Sequence, residues 1–278
     1  MPTGFWRHFS LGLATLCGAR RRGFFIPYRY ADQVTPPTVY AAAQSLFDAA
    51  RGDFAALLSA LAPYAADLGA IAPDAPAPAP RWGQDWFAPM DAAILYALIR
   101  DRRPACFLEV GSGHSTRFAA RAIGDGKLAT RHVAIDPAPR ADVGTSALTL
   151  HRCVLKDADP ALFAGLRAGD MLFIDSSHIL MPGTDVDQLF NGVLPALPKG
   201  VLVHIHDIFL PDDYPMDWAW RGYNEQLAVL PLLGGGGFKP LFASRYAETR
   251  MKAETAASLI AQLPSSKAPA TSLWLEKV

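Results

Sequence analysis

At 278 residues the chain has room for one large α/β domain with an added N-terminal segment. Its 26 Lys and Arg balance its 26 Asp and Glu, so no general attraction to nucleic acid is implied. Three cysteines, an odd and widely spaced set (Cys17, Cys106, Cys153), argue against a disulfide framework and for a reduced, cytoplasmic setting, and no run approaches the ~18 uninterrupted apolar residues of a membrane span.

The chain opens on an apolar stretch, residues 9–19, followed by Arg20-Arg21-Arg22. A secretory signal carries its positive charge before the apolar run, so secretion is not expected. Packing against the domain's own body is the expectation, with contact to a membrane surface or a partner as the alternative. Pro36-Pro37 then precedes two alanine-rich helical stretches, 38–50 and 54–68, which read as a cap or an oligomerisation element and leave both a monomer and a homo-oligomer open. A Pro/Ala run follows at 72–81, extended and fairly stiff. The organisation expected is therefore a helical extension over 1–71, a linker over 72–81 and the main domain over 82–278.

Beyond the linker, Pro89 opens a helix reaching about residue 100. Strands are predicted near 105–110, 131–136, 147–152, 171–175, 200–206, 238–244 and 271–276. Helices are predicted near 115–123, 160–167, 184–194, 220–233 and 252–263. The alternation argues for an α/β fold with a mostly parallel sheet covered by helices on both faces. The first strand, Cys106-Phe107-Leu108-Glu109-Val110, runs into Gly111-Ser112-Gly113-His114-Ser115-Thr116. Two glycines let the backbone bend and approach a ligand, and the helix that follows points free N–H groups into the same space. The second strand ends in Asp136, where an acid commonly receives ribose hydroxyls.

The dinucleotide fingerprint requires a third glycine three residues after the second, and it is missing here, with Thr116 in its place. Glu109 also lies two residues before the first glycine. An acid there suits a sulfonium and an ammonium and repels a diphosphate. The E-x-G-x-G turn resembles the first motif of class I S-adenosylmethionine (SAM)-dependent methyltransferases.

Two further strand ends carry polar clusters, Asp175-Ser176-Ser177-His178 and His204-Ile205-His206-Asp207. Ligands of open α/β sheets bind outside the carboxyl ends of the strands, so these residues are expected beside the pocket that begins at Gly111. Together with the glycine turn and His206-Asp207-Ile208-Phe209, they resemble a class I family related to macrolide-sugar O-methyltransferases and the cephalosporin hydroxylase-like group. The likeness spans roughly residues 82–278 and implies a Rossmann-like, seven-stranded sheet with its last strand antiparallel.

The resemblance implies SAM as cofactor. Glu109, Gly111, Ser112, Gly113 and Ser115 would lie around its methionine end, Asp136 at the ribose and Asp157 at the adenine. It implies His178 as general base and Asp175, His206 and Asp207 as ligands of a divalent cation. In the relatives that ion is Mg²⁺ and an acid stands where this chain has His206. Imidazole suits Mn²⁺, Fe²⁺, Co²⁺ or Zn²⁺ better than Mg²⁺. Two readings stay open: Mg²⁺ or Mn²⁺ held by the three side chains, or His206 behind the ligands with the metal weak or absent. The aromatic stretch 210–225 reads either as a substrate lid or as a loop anchored by its rings. The function expected is O-methylation of a small hydroxylated molecule. The alternatives are an NAD-type oxidoreductase and a non-catalytic SAM-fold binding protein.

Overall fold

The protein is described here by a computed structural model covering residues 5–139, 141–144 and 148–278. Seven strands form one sheet: β1 (Cys106–Val110), β2 (Arg131–Ile135), β3 (Thr149–His151), β4 (Met171–Ile174), β5 (Leu202–Ile205), β6 (Phe238–Ala243) and β7 (Leu273–Lys277). Their order is β3-β2-β1-β4-β5-β7-β6. The pairs from β3 to β5 are parallel, and β7 runs antiparallel to both of its neighbours. Strands β1, β4 and β5 are buried along their whole length, as continuous apolar runs in a doubly covered sheet require. Residue 147, the expected first residue of the third strand, lies outside the described residues.

His204 is the polar exception inside β5. Its ring stacks on Phe173 with centroids 3.7 Å apart, and its Nε2 meets the Ser272 hydroxyl at 2.7 Å. Burial holds its pKa well below the ordinary value, so it serves as a neutral core residue.

The helix Pro89–Arg102 is buried from Met90 to Ile99 and covers one face of the sheet. The helices Ala41–Ala49 and Arg51–Ser59 share that same core. Phe54 packs edge-on to Phe242 at 5.6 Å, Phe47 packs on Tyr246 at 5.7 Å, and Tyr246 Oη donates to Asp48 at 2.5 Å. The Pro/Ala run is tied down at its end, where the Gly83 N–H donates to the Pro73 carbonyl at 2.7 Å.

Several predicted helices are shorter or broken. The one expected over 184–194 is a helix Asp185–Gln188, a π-helical turn Leu189–Val193 and a last turn Leu194–Ala196. The one expected over 220–233 starts at Gln226, because Gly222 takes a left-handed φ of 66° and ends the preceding turn. A helix Ser244–Arg250 stands where only a strand end was expected, drawn out of the sheet by burial of Tyr246 against the helices at 41–59.

The sheet's centre is closed by a backbone contact. Gly111 has φ 89°, and a Cβ on it would stand 1.9 Å from the Asp175 carbonyl oxygen. The Asp175 N–H donates to the Val110 carbonyl at 2.9 Å and the Gly111 N–H to the Ile135 carbonyl at 2.9 Å. Gly111→Ala should therefore destabilise the fold by more than the ~1–2 kcal/mol of a left-handed Ala alone. Chemical denaturation would show it as a lower midpoint; an unchanged midpoint would mean the contact is not needed.

Candidate functional site

The glycine turn after β1 is held from two sides. The Asp136 carboxylate, half-buried at the end of β2, accepts from the Ser112 N–H at 2.8 Å, the Ser112 hydroxyl at 2.9 Å and the Ala138 N–H at 2.8 Å. From beneath, the Gly113 N–H donates to Thr116 Oγ1 at 2.9 Å, and that hydroxyl donates to Glu109 Oε2 at 2.8 Å. Glu109 Oε1 pairs with the buried His132 Nε2. Glu109, expected at the methionine end of the cofactor, thus stands beneath the turn. Residue 109 points to the face of the sheet that carries His132 on the neighbouring strand, where both oxygens are engaged and the residue is fully buried. Its carboxylate braces the turn and does not line a pocket. Ser115 is buried at the start of the helix His114–Asp125. No atom lies within 4 Å of where a Cβ on Gly113 would stand, so this side of the turn is open.

His114 was singled out only as part of the turn. Burial and the guanidinium groups of Arg117 and Arg81 press its pKa down to about 4, so its ring is neutral at physiological pH beside the turn. Asp157 sits on an exposed turn after β3, paired to Lys156 at 2.5 Å.

The second half of the site begins one residue from the first, because Asp175 touches Gly111 backbone to backbone. His178 and Asp207 both hold left-handed backbone, φ 60° and 54°, which costs a non-glycine residue of order 1–3 kcal/mol and clusters at functional sites. That geometry turns the two side chains toward each other. His178 Nε2 lies 3.3 Å from Asp175 Oδ1 and 3.4 Å from Asp207 Oδ2, and Nδ1 lies 2.9 Å from Glu225 Oε2. Glu225 is fully buried. Nothing in its local sequence marks it, and the fold alone brings it to His178 across 47 positions.

Burial by itself would drive His178 toward the neutral form. The hydrogen bonds to Asp175 and Glu225 and the charges of Glu225 and Asp207 outweigh it, and the pKa is raised well above the ordinary value. Burial likewise favours the neutral acid at Glu225 against the pull of His178. For this pair we place the proton on the ring, since three carboxylates face it. Burial would raise Asp175 too, yet His206 and His178 hold its carboxyl well below the usual range. Asp91, buried in the helix Pro89–Arg102, accepts from the Thr271 and Ser272 N–H groups at 3.0 and 3.2 Å. It also carries charge facing His206, whose pKa is raised against its burial by Asp175, Asp207 and Asp91.

The three side chains implied as metal ligands do meet in this corner, but they do not form a vacant coordination point. The gap between Asp175 and Asp207 is filled by the His178 ring, and His206 Nε2 stands 3.8 Å from Asp207 Oδ1. Among the described residues, no three His, Cys, Asp or Glu side chains are arranged to hold a metal. As placed, these residues do not fit a metal centre.

A cavity of about 330 Å³ opens beside Asp207, lined by Asp85, Trp86, Trp218, Arg221 and Thr271. Of the rings in the 210–225 segment, Trp218 packs on Phe209 at 5.0 Å and under Arg221 at 4.0 Å. Tyr223 lies 4.5 Å from the His178 ring. Those two anchor the loop, whereas Trp220 and Trp86 remain exposed.

Residues 108–208 match a family described as a methyltransferase domain. No curated protein matches the chain. Among solved structures it is similar to the SAH-bound Podospora anserina methyltransferase PaMTH1, at 16% identity over 92% of this chain and 99% of that one, with a TM-score of 0.43. It is similar to the Bacillus cereus O-methyltransferase in complex with SAH at 13% identity, over 89% and 95%, with a TM-score of 0.38. Its likeness to CmcI-N160 with SAH is 15% over 68% and 77%, again with a TM-score of 0.38. The matched stretch holds the glycine turn and both acidic strand ends, so the part of the chain that carries the candidate site is similar to a methyltransferase domain.

Proposed function

We propose that the protein methylates a hydroxyl oxygen of a small, hydroxylated molecule, sugar-bearing or polyketide-like, with His178 taking the proton. The observation that carries this reading is the backbone contact of Gly111 with Asp175, which sets the cofactor turn against a buried imidazole. Two features of the pocket fit a ligand there: the open side of the turn at Gly113, and the buried His206 Nδ1 and Glu225 Oε1, which have no hydrogen-bond partner among the described residues.

SAM supplies an activated methyl group on a sulfonium, so the chain's residues need only place an oxygen in line and remove its proton. Positioning of this kind is worth up to ~7–11 kcal/mol in favourable cases. Asp136 and the Ser112 N–H shape the ribose side, and Asp207 with Trp86 and Trp218 lines the acceptor side. The His178 imidazolium has no lone pair to offer, so the base is its neutral form, with Glu225 fixing the ring through Nδ1. As the acceptor oxygen bonds to the methyl carbon, the carbon–sulfur bond breaks onto sulfur and the hydroxyl proton passes to Nε2. No step here runs through a metal ion. The exposed rings of the 210–225 segment suit an acceptor with a ring or sugar face.

In a thermal-shift titration, SAM and SAH at about a hundred times their Kd should each add about 2.7 kcal/mol of stability, and NAD none. Stabilisation by NAD alone would replace this reading with the oxidoreductase. His178→Ala should lower kcat by ~10²–10⁴-fold with SAM affinity retained; an unchanged kcat removes His178 from the chemistry.

Because the active form is the neutral ring and its pKa is raised, kcat should climb with pH through a value above the ordinary 6.5. Glu225→Gln removes one carboxylate that favours the imidazolium and should shift that limb to lower pH; a limb that stays put would refute the assignment. Turnover should also survive a chelator. Loss on chelation, restored by Mn²⁺ or Mg²⁺, would put a cation between Asp175 and Asp207.

A further inference from the structure

Several large apolar residues of the N-terminal segment are exposed. On the helix Phe5–Leu16, positions 6, 9, 13 and 16 lie on one side, and Leu13 and Leu16 are 50% and 62% exposed. Beyond the helix, Phe25 and Ile26 are 66% and 64% exposed. Surface leucines scattered singly need no explanation, but a row of large apolar side chains on one helical side does.

The same segment concentrates positive charge. Residues 1–40 hold five arginines and one acid, Asp32, whereas the remaining 238 residues carry four more acids than bases. The basic triplet is folded back against the helix. The Arg20 N–H donates to the Ala14 carbonyl at 3.2 Å. The Arg22 N–H donates to Thr15 Oγ1 at 2.9 Å, and that hydroxyl donates to the Leu11 carbonyl at 2.9 Å. The Arg21 guanidinium lies 4.7 Å above the Phe24 ring. Exposed cations and exposed apolar groups are therefore fastened at one end of the same element.

Aromatic and aliphatic side chains on one face of a helix with arginines beside it suit the boundary between lipid headgroups and acyl chains. A twelve-residue helix is about 18 Å long, too short to span. No described helix is long and apolar enough to cross a membrane. A second copy of the chain would bring the same surplus of positive charge to the face, and an anionic surface brings the opposite sign. We propose that residues 5–30 are a peripheral docking element that lays the protein on an anionic phospholipid surface, with Leu13, Leu16, Phe25 and Ile26 entering the interface and Arg20, Arg21 and Arg22 meeting the phosphates.

The test is flotation of the full chain with vesicles of phosphatidylcholine, with and without phosphatidylglycerol. The chain should float only with the anionic vesicles, and less as salt rises. The combined change Arg20→Gln, Arg21→Gln and Arg22→Gln should weaken binding roughly 100-fold. Leu16→Ser with Phe25→Ser should also release the chain while leaving its thermal midpoint unchanged, since both side chains are exposed. Failure to float with phosphatidylglycerol, or equal flotation with pure phosphatidylcholine, overturns the proposal. So does a dimer in solution that Leu16→Ser with Phe25→Ser converts to monomer, because a second copy then covers the face.

Discussion

The absence of a side chain at Gly111 is the constraint on which the rest of the site depends. Strands β2, β1 and β4 end at one level because the Gly111 N–H reaches Ile135 and the Asp175 N–H reaches Val110. With a left-handed Gly111 pressed on the Asp175 carbonyl, the glycine turn and the turn that leads to His178 become a single piece of backbone. A larger residue would push the end of β4 outward. Asp175 and His178 would move with it, even though neither touches the turn through its side chain.

The polar corner is costly to assemble, and its partners show how it is kept. An isolated buried charge is unfavourable by far more than a folded domain's net stability, and survives only when paired or neutralised. Here each buried acid has its own answer. Glu109 is matched by His132 and Thr116, Asp91 by two backbone N–H groups at the start of β7, and Glu225 by His178. The imidazolium of His178 takes a central place among Asp175, Asp207 and Glu225, where a cation of some kind is required. This explains why the three implied metal ligands converge and yet leave no free point between them.

Much of this was legible in the amino-acid order, and the omissions have physical causes. Apolar runs leading to glycine or acid marked four of the five parallel strands, since a doubly covered sheet tolerates little else. The direction of Glu109 was not legible, because the spacing of a motif says nothing about which side chain on the neighbouring strand waits on the same face. Glu225 was hidden for a related reason: its partner is distant in the chain, and only the closing of the 210–225 loop joins them. Asp91 did leave a trace, as the one acid between Met90 and Ile99 in an otherwise apolar helix. The aromatic content of the loop did not separate anchors from free rings. Trp218 and Trp220 are two residues apart and differ only in which way the turn ending at Gly222 presents them.

Net charge illustrates the opposite hazard, a number that is right and still uninformative. A total of zero implies no net long-range attraction to a polyanion, since distant charges sum. Over distances shorter than the screening length of ~8–10 Å, however, a surface feels only the charges beside it, and the chain's first forty residues differ in sign from the rest. The backbone bonds from Arg20 and Arg22 into the last turns of the helix keep that local excess from dispersing. The polarity of the N-terminal segment therefore belongs to its folding as well as to its composition. A neutral whole and a basic edge are compatible because the domain's surplus acids lie elsewhere, several of them buried in the corner around His178.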